Sequence, residues 1–348
     1  MTLPTTTRNY VLPEVGSYKN LKLTQANLPT PKSFEVLVKI RAVSLQFRDL
    51  IIASGMYPVP ARKDLVPCSD MAGEIVSVGE DVRENWKVGD RVCANFCADH
   101  IDGDPTPEAQ ATAHGGAIDG VLTEYKAFRP HSLVKIPDHL SFEEASTLPC
   151  AALTAYNALM GPVPLKGGDT VLVLGTGGVS VHALQIAVAS GATVIATSSS
   201  DEKLKVAEKL GAKHVINYKK TPDWDKEVLR LTNDRGVDHV IEVGGNETLV
   251  KSMNSARVAG WVHLIGFVGG PQAAPPNVIF PSIRRAIYIR GIQIGSVRQF
   301  KEMNRLFAAN PDATRPYVDK VFPFEQALEA YAYLESQAHF GKVVIKVA

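Results

Sequence analysis

DTVLVLGTGGVSVHALQIAVASGATVIATSSS, residues 169–200, changes its hydrophobic period twice, and those two changes decide the fold. Residues 170–174 are an apolar, β-branched run of the length of a strand buried on both faces, and the run stops at Gly175-Thr176-Gly177-Gly178. From Val179 onward Val181, Leu184, Ile186, Ala187 and Val188 fall at helical spacing, and Gly191 ends the helix before residues 193–196 form the next strand. Strand, glycine turn, helix and strand make half of a dinucleotide-binding unit. Gly175 permits the sharp turn, and Gly177 lets the backbone approach a pyrophosphate, which sits on the free N–H groups and positive end of the helix. The third position of this fingerprint is Ser180 rather than glycine.

Downstream the same alternation continues. Helical patterns at 202–210, 223–231 and 247–258 alternate with strand patterns at 214–217, 238–243, 261–266 and 288–294. With the first two strands this makes six. Short connections of this kind specify a doubly wound parallel sheet with right-handed crossovers. Upstream the signals are those of antiparallel hairpins: residues 34–44, in which Val36, Val38, Ile40 and Ala42 alternate with Leu37, Lys39, Arg41 and Val43, then 74–82 and 88–92 separated by Gly-Glu and Gly-Asp turns. Residues 97–120 have little periodicity and read either as a solvated insertion or as a loop over a substrate. Ser141 to Glu144 is a capping box that starts a helix; Pro149 interrupts it, and residues 150–159 carry a second helix toward the glycine turn. The last residues, 340–347, read as a strand returning to the first domain. The expected organisation is a β domain over 1–150, completed by 296–348, and a nucleotide-binding domain over 151–295.

The chain has 348 residues, 45% of them hydrophobic, enough for two packed cores. Its 37 basic and 36 acidic residues leave a formal net charge of +1, so no electrostatic footprint points to nucleic acid or to an acidic membrane. A small-molecule substrate is expected. Cys68, Cys93, Cys97 and Cys150 are too few and too irregular for a disulfide framework, the N-terminus lacks a secretory pattern, and no apolar run approaches about 18 residues. A cytoplasmic protein is expected.

Five passages together resemble the medium-chain dehydrogenase/reductase superfamily over nearly the whole chain: SLQFRD at 44–49 with GMYP at 55–58, GEIVSVG at 73–79, VGDRV at 88–92, GTGGVS at 175–180 and FGK at 340–342. More narrowly, the chain looks like the zinc-independent quinone-oxidoreductase and enoyl-reductase relatives, often named alcohol dehydrogenases. The resemblance implies a GroES-like β-barrel joined by the C-terminal tail, a Rossmann domain, a cleft in which nicotinamide meets substrate, and a homodimer pairing through residues 288–294.

The resemblance also places the zinc ligands of the metal-dependent relatives at Gln46, Ser69 and Cys150. Catalytic zinc wants three Cys, His or Glu ligands, and only Cys150 qualifies, so no metal is expected. A structural zinc would have to use Cys93, Cys97, His100 and His114, and none is expected there either. Cofactor choice is read at the end of the second strand, where Ser198, Ser199 and Ser200 precede Lys203; hydroxyls and one ammonium suit the 2′-phosphate of NADPH, where an acidic residue would favour NADH. The resemblance adds Tyr218 near that phosphate and Thr154 beside the nicotinamide, with Gly244, Phe267 and Lys342 completing the cofactor contacts. Tyr57 matches by position a tyrosine that serves as an acid in enoyl reductases, and Gln46 can donate its amide to substrate or ribose. Asp49 reads as support for this loop, Cys150 as a small buried filler, His182 and His263 as structural, and Trp261 as core. The function implied is NADPH-dependent, metal-free hydride transfer to an enone, quinone or carbonyl, or its reversal on an alcohol. The alternatives are a zinc-type alcohol dehydrogenase and a non-catalytic NADPH-binding protein.

Overall fold

The computed structural model describes residues 3–58, 62–267 and 276–347. It divides into two compact units, one of residues up to Leu153 with Ile294–Ala309 and everything from Pro316, the other Thr154–Gln293 with Asn310–Arg315.

The first unit is the GroES-like one. Its strands are β1 (Thr6–Val11), β2 (Lys22–Asn27), β3 (Val36–Ser44), β4 (Asp70–Val78), β5 (Arg91–Ala94), β6 (Tyr125–Phe128) and β7 (Leu133–Lys135). β3 is the central strand because both of its ends are used: Val36–Lys39 pair with β6, while its whole length pairs antiparallel with β4. The alternation along β3 is only partly kept. Leu37 and Val43 are as buried as Val36, Val38 and Ile40, so only Lys39 and Arg41 remain partly in solvent. Two strand readings are corrected here. Residues 88–90 form a turn, with Gly89 at φ +94 and Lys87 N donating to Asp90 Oδ2 at 2.9 Å; Gly89 N and Asp90 O still bond Ile75 of β4, and the regular strand begins at Arg91. β4 ends at Val78, short of the expected 82: Gly79 N donates to Glu35 O at 2.9 Å and Val82 N to Gly79 O at 3.2 Å in a turn so close to the Ser33 carbonyl that a Cβ on Gly79 would meet it at 2.2 Å.

The second unit contains β8 (Thr170–Val173), β9 (Thr193–Ser198), β10 (His214–Asn217), β11 (Val237–Glu242), β12 (Ala256–Leu264) and β13 (Tyr288–Gly291). All neighbours are parallel, and the order is β10-β9-β8-β11-β12-β13. This is the Rossmann order, with the chain reversing direction of travel between β8 and β11, where such sheets bind ligands. The core holds Leu172, Ile195, Val240, Val262 and Met253, all buried. The helix expected over 247–258 is shorter, Leu249–Ser255, because the chain turns extended at Ala256 and pairs with β11 from there.

The chain returns to the first unit with β14 (Val318–Pro323) and β15 (Lys342–Lys346); β15 pairs antiparallel with β3, Val344 opposite Ser44, giving the order β14-β15-β3-β4-β5-β7. Phe322, Tyr331, Val343 and Ile345 from this tail share one buried cluster with Val38, Ile40, Met71 and Ile75. Residues 150–159 are not one helix. A wide π-type turn, Leu148–Ala152, begins around Pro149, which has no N–H to give, and a regular helix follows at Leu153–Met160. No helix among the described residues is long and apolar enough to cross a membrane.

Candidate active site

The candidate residues fall on both units. In the second unit β8 runs out at Val173, Gly175 turns at φ +71, and the helix Gly178–Ala189 starts at once. A Cβ at Gly175 or Gly177 would meet nothing within 4 Å, so open space lies before the first helical turn, whose leading N–H groups lack helical partners. A pyrophosphate fits that cradle. Thr176 is buried at its rim, and Val179 is half-buried. Ser180 differs from the expectation in what its side chain does: the hydroxyl is buried and donates to the Leu174 carbonyl at 2.6 Å, which leaves only its backbone for a ligand.

Around the end of β9 the local bonds are those of a polar loop. Ser198 Oγ accepts from Ser200 N at 3.3 Å, Ser200 Oγ caps the helix Asp201–Lys209 by accepting from Lys203 N at 3.4 Å, and Tyr218 N donates to Ser198 O at 3.1 Å. Ser198, Lys203 and Tyr218 are thereby gathered. An acid adjoins them that sequence reading passed over: Asp201. Its carboxylate accepts from Asn217 Nδ2 at 2.6 Å and from Lys220 Nζ at 2.5 Å, and those donors hold it below the usual carboxylate range. Asp201 thus spends its charge on the β10 side of the loop.

The end of β11 holds the other residue missed, Glu242. Fully buried, it accepts from Gly244 N at 2.7 Å, Gly245 N at 3.0 Å, Thr248 Oγ1 at 2.6 Å and Ser252 Oγ. One carboxylate therefore fixes the loop that carries Gly244. Phe267, half exposed, lies beside it, since a Cβ on Gly245 would meet Phe267 Cα at 3.1 Å. The signal was an acid closing an apolar run, VIEVGG, with Thr248 and Ser252 at helical spacing beyond it. Thr154 is buried, and its hydroxyl has no partner among the described residues, as expected of a group that awaits a ligand.

In the first unit Gln46 follows β3 and begins the helix Phe47–Ala53, its N–H donating to Asp49 Oδ2 at 2.9 Å. Its side chain enters a buried row: Gln46 Nε2 donates to Ser69 Oγ at 3.0 Å, Ser69 Oγ donates to Asp70 Oδ1 at 2.9 Å, and Asp70 Oδ2 accepts from Cys150 N at 3.2 Å. One amide hydrogen of Gln46 is thus committed. Lys342 is buried here too, donating to the Leu45 carbonyl at 2.5 Å. Burial pushes the Asp70 carboxyl up to about 7 against the pull of Lys342, and the Asp49 carboxyl up to about 6 against Arg48. Burial also drives the Cys150 thiol far up, which keeps it protonated and inert.

Tyr57 is half-buried next to Arg48, whose guanidinium lies 5.0 Å from its ring centre and 4.6 Å from that of Phe96, and donates to the His114 carbonyl at 3.0 Å. The segment 97–120 is not simply a solvated insertion: Cys97, His100 and His114 are buried, Gly115 and Gly120 lie against Cys68, and Val297 N donates to His100 O at 2.9 Å. His100 Nε2 is engaged by Gly103 O at 3.0 Å and His114 Nδ1 by Asp119 O at 3.4 Å, while His114 Nε2, buried, has no hydrogen-bond partner among the described residues. Among the described residues no three His, Cys, Asp or Glu gather as a ligand set. Trp261, expected in the core, is half-buried and stacks between Tyr288 and His263.

A Rossmann sheet with an open glycine turn, carried on a chain whose GroES-like unit holds a buried polar row, defines a two-domain dehydrogenase or reductase. Residues 32–138 match the alcohol dehydrogenase GroES-like domain, and residues 178–309 match the zinc-binding dehydrogenase family model. A zinc-type alcohol dehydrogenase-like protein of Schizosaccharomyces pombe is 49% identical over 98% of this chain and 99% of its own length. The quinone oxidoreductase of Lama guanicoe is 30% identical over 95% of each chain. A solved structure, a putative alcohol dehydrogenase of Sinorhizobium meliloti, superposes with a TM-score of 0.91 at 36% identity, covering 99% of this chain and 100% of that one. The chain belongs to the medium-chain dehydrogenase/reductase superfamily, oxidoreductases that use a nicotinamide cofactor.

Proposed function

We propose that this protein is an NADPH-dependent, metal-free oxidoreductase that reduces a small conjugated enone, quinone or carbonyl compound, or oxidises the corresponding alcohol. The observation that carries this reading is the buried row Gln46–Ser69–Asp70 with Cys150 and Lys342. An amide, a hydroxyl and a neutral thiol are a poor donor set for zinc, and an internal ammonium repels a dication. The names of the zinc-binding family and of the yeast relative favour a zinc alcohol dehydrogenase instead; the donor chemistry argues against it.

When bound, the cofactor supplies a hydride. Gly175, Thr176, Gly177, Gly178 and the backbone of Val179 and Ser180 would hold its pyrophosphate; Ser198, Ser199 and Lys203 its 2′-phosphate, with Tyr218 beside them; and Thr154, Gly244 and Phe267 its nicotinamide half. Ser198 and Ser199 offer hydroxyls, and Asp201, engaged by Asn217 and Lys220, does not oppose a phosphate there. Tyr57 donates a proton to the reduced substrate, its ring braced by Arg48. The second amide hydrogen of Gln46 holds the substrate oxygen, oriented because the first is fixed on Ser69. Lys342 keeps the buried carboxylates charge-balanced. The reading also takes the enzyme to be a cytoplasmic homodimer that pairs through the β13 edge, where Tyr288 is exposed.

The test is a panel of enones, quinones and aldehydes in which nicotinamide absorbance is followed with NADPH and with NADH, alongside metal analysis of the purified protein. Turnover with NADPH and substoichiometric zinc are expected. One tightly held zinc per chain would overturn the metal-free reading, and cofactor binding without turnover across the panel would favour a non-catalytic role.

A further inference from the structure

β3, β4 and β15 carry the buried row at one end, where Gln46 follows β3, Asp70 opens β4 and Lys342 opens β15. Toward their other ends the same neighbouring strands carry Arg41, Glu74 and Lys346. Arg41 and Lys346, with Arg91 of β5 and the start of the helix Phe142–Ala145, line a recess of about 360 Å³. That is the size of a small-ligand site. Nothing in the proposed reaction uses it.

Its charges do not balance. Arg41 Nη2 pairs with Glu74 at 3.0 Å and Lys346 Nζ with Glu143 at 3.3 Å, both partly exposed pairs of the kind that contribute little and are readily exchanged. Arg91 has no carboxylate partner among the described residues. Its guanidinium donates to two carbonyls, Leu140 O at 2.5 Å and Asp138 O at 3.4 Å, and lies 4.7 Å from the centre of the Phe142 ring. Arg41 Nε, buried, has no acceptor among the described residues. A buried guanidinium N–H without an acceptor is costly, and native structures generally answer it with a ligand or a water. Three cations approach from three strands, β3, β5 and β15. A phosphoryl group offers three oxygens in three directions, one for each cation.

We propose that this recess binds the phosphoryl group of a small phosphate ester, Arg41, Arg91 and Lys346 taking its oxygens and the Phe142 ring receiving the organic part. Lys346, the most exposed of the three, exchanges Glu143 for the phosphoryl group. The site is independent of the cofactor assignment, because every residue in it lies in the first unit.

Hydrogen–deuterium exchange on the full-length protein with inorganic pyrophosphate as the probe separates the two places where it can bind. Slowed exchange in residues 138–146, saturating with probe, is expected, with a midpoint at least about tenfold higher in Lys346→Gln and in Arg41→Gln, the scale of losing one charge-assisted contact. Lys346 is exposed at the end of β15, so Lys346→Gln keeps the fold even if Arg41→Gln does not. Protection confined to the glycine turn at 174–180, or protection of 138–146 that both variants retain at the same midpoint, would overturn the proposal.

Discussion

Acid should weaken the Rossmann unit through two buried imidazoles in contact, His239 and His263, both pushed below the ordinary histidine value by burial. His263 is buried on β12, its Nε2 lies 3.1 Å from Nδ1 of His239, and its own Nδ1 has no partner among the described residues. Burial, then the charge that His239 would carry, then Arg290, push it down to about 3 from an ordinary 6.5. The unfolded chain therefore binds more protons than the folded one between about pH 6.5 and pH 3, and stability falls as pH falls through that window. At about 1.4 kcal/mol per pH unit, the loss from this group between pH 7 and pH 4.5 is about 2.5 kcal/mol. Asp238, held very low by Arg235 and Arg257, loses its contribution only below that range. In the GroES-like unit the opposing shifts partly cancel. His114, down to about 3, loses stability in acid, while Asp70 and Asp49, raised to about 7 and about 6, take up protons in the folded state and gain it. Urea unfolding followed by tryptophan fluorescence reports mainly on the Rossmann unit, because Trp224 and Trp261 lie in it and only Trp86 in the other. His263→Gln should be less stable than the parent at pH 7 yet lose about 2.5 kcal/mol less on going to pH 4.5. An identical loss in parent and variant would show that His263 does not carry the acid sensitivity.

Lys203→Ala should weaken NADPH binding by roughly ten- to a hundredfold and leave NADH almost unchanged, measured by cofactor fluorescence titration; equal losses for both would remove Lys203 from the 2′-phosphate. Tyr57→Phe should lower kcat by roughly 10²-fold with cofactor affinity intact, and full activity would leave solvent as the proton source. Gln46→Ala should raise KM as well as lower kcat, since its contact exists before the transition state. Glu242→Ala strands the two loop amides and two hydroxyls that converge on it, and should destabilise the protein by more than about 3 kcal/mol, read as a fall in Tm. Glu242→Gln, which keeps one acceptor oxygen, should recover part of that; no difference between the two variants would mean that the carboxylate's hydrogen bonds do not hold the loop.

What was legible in the sequence is what depends on local period. The six parallel strands announce themselves because each is a short apolar run closed by a turn, and the run at 170–174 before Gly175 fixes where the sheet changes direction. Turns that depend on distant backbone were misread: the VGDRV stretch has strand composition throughout, but Gly89 at φ +94 puts a turn into its first half, where Gly89 and Asp90 still bond the Ile75 backbone of β4, and the regular ladder begins only at Arg91. Of the polar row, the resemblance links Gln46, Ser69 and Cys150, but nothing in the sequence adds Asp70 and Lys342 to them. Gln46, the adjacent Ser69 and Asp70, Cys150 and Lys342 come from four separated places in the chain, and no spacing rule links a lysine near the C-terminus to the carbonyl of Leu45.

Ser180 shows where reading and structure meet. A serine at the third fingerprint position looks like a weakened motif, because glycine there lets helix and strand pack closely. In the folded chain the serine is small enough to fit, and its hydroxyl bonds the Leu174 carbonyl at the very end of the strand, pinning helix to strand with a hydrogen bond in place of bare proximity. Glu242 does the same one strand over, drawing the Gly244–Gly245 loop down onto β11. Both loops that border the open turn are thus held by buried polar anchors beneath them, which leaves their outer backbone free for a ligand. In the proposed dinucleotide site the side chains of Ser180 and Glu242 serve by holding backbone in place, and their signature in sequence is a polar residue where an apolar or glycine one was due.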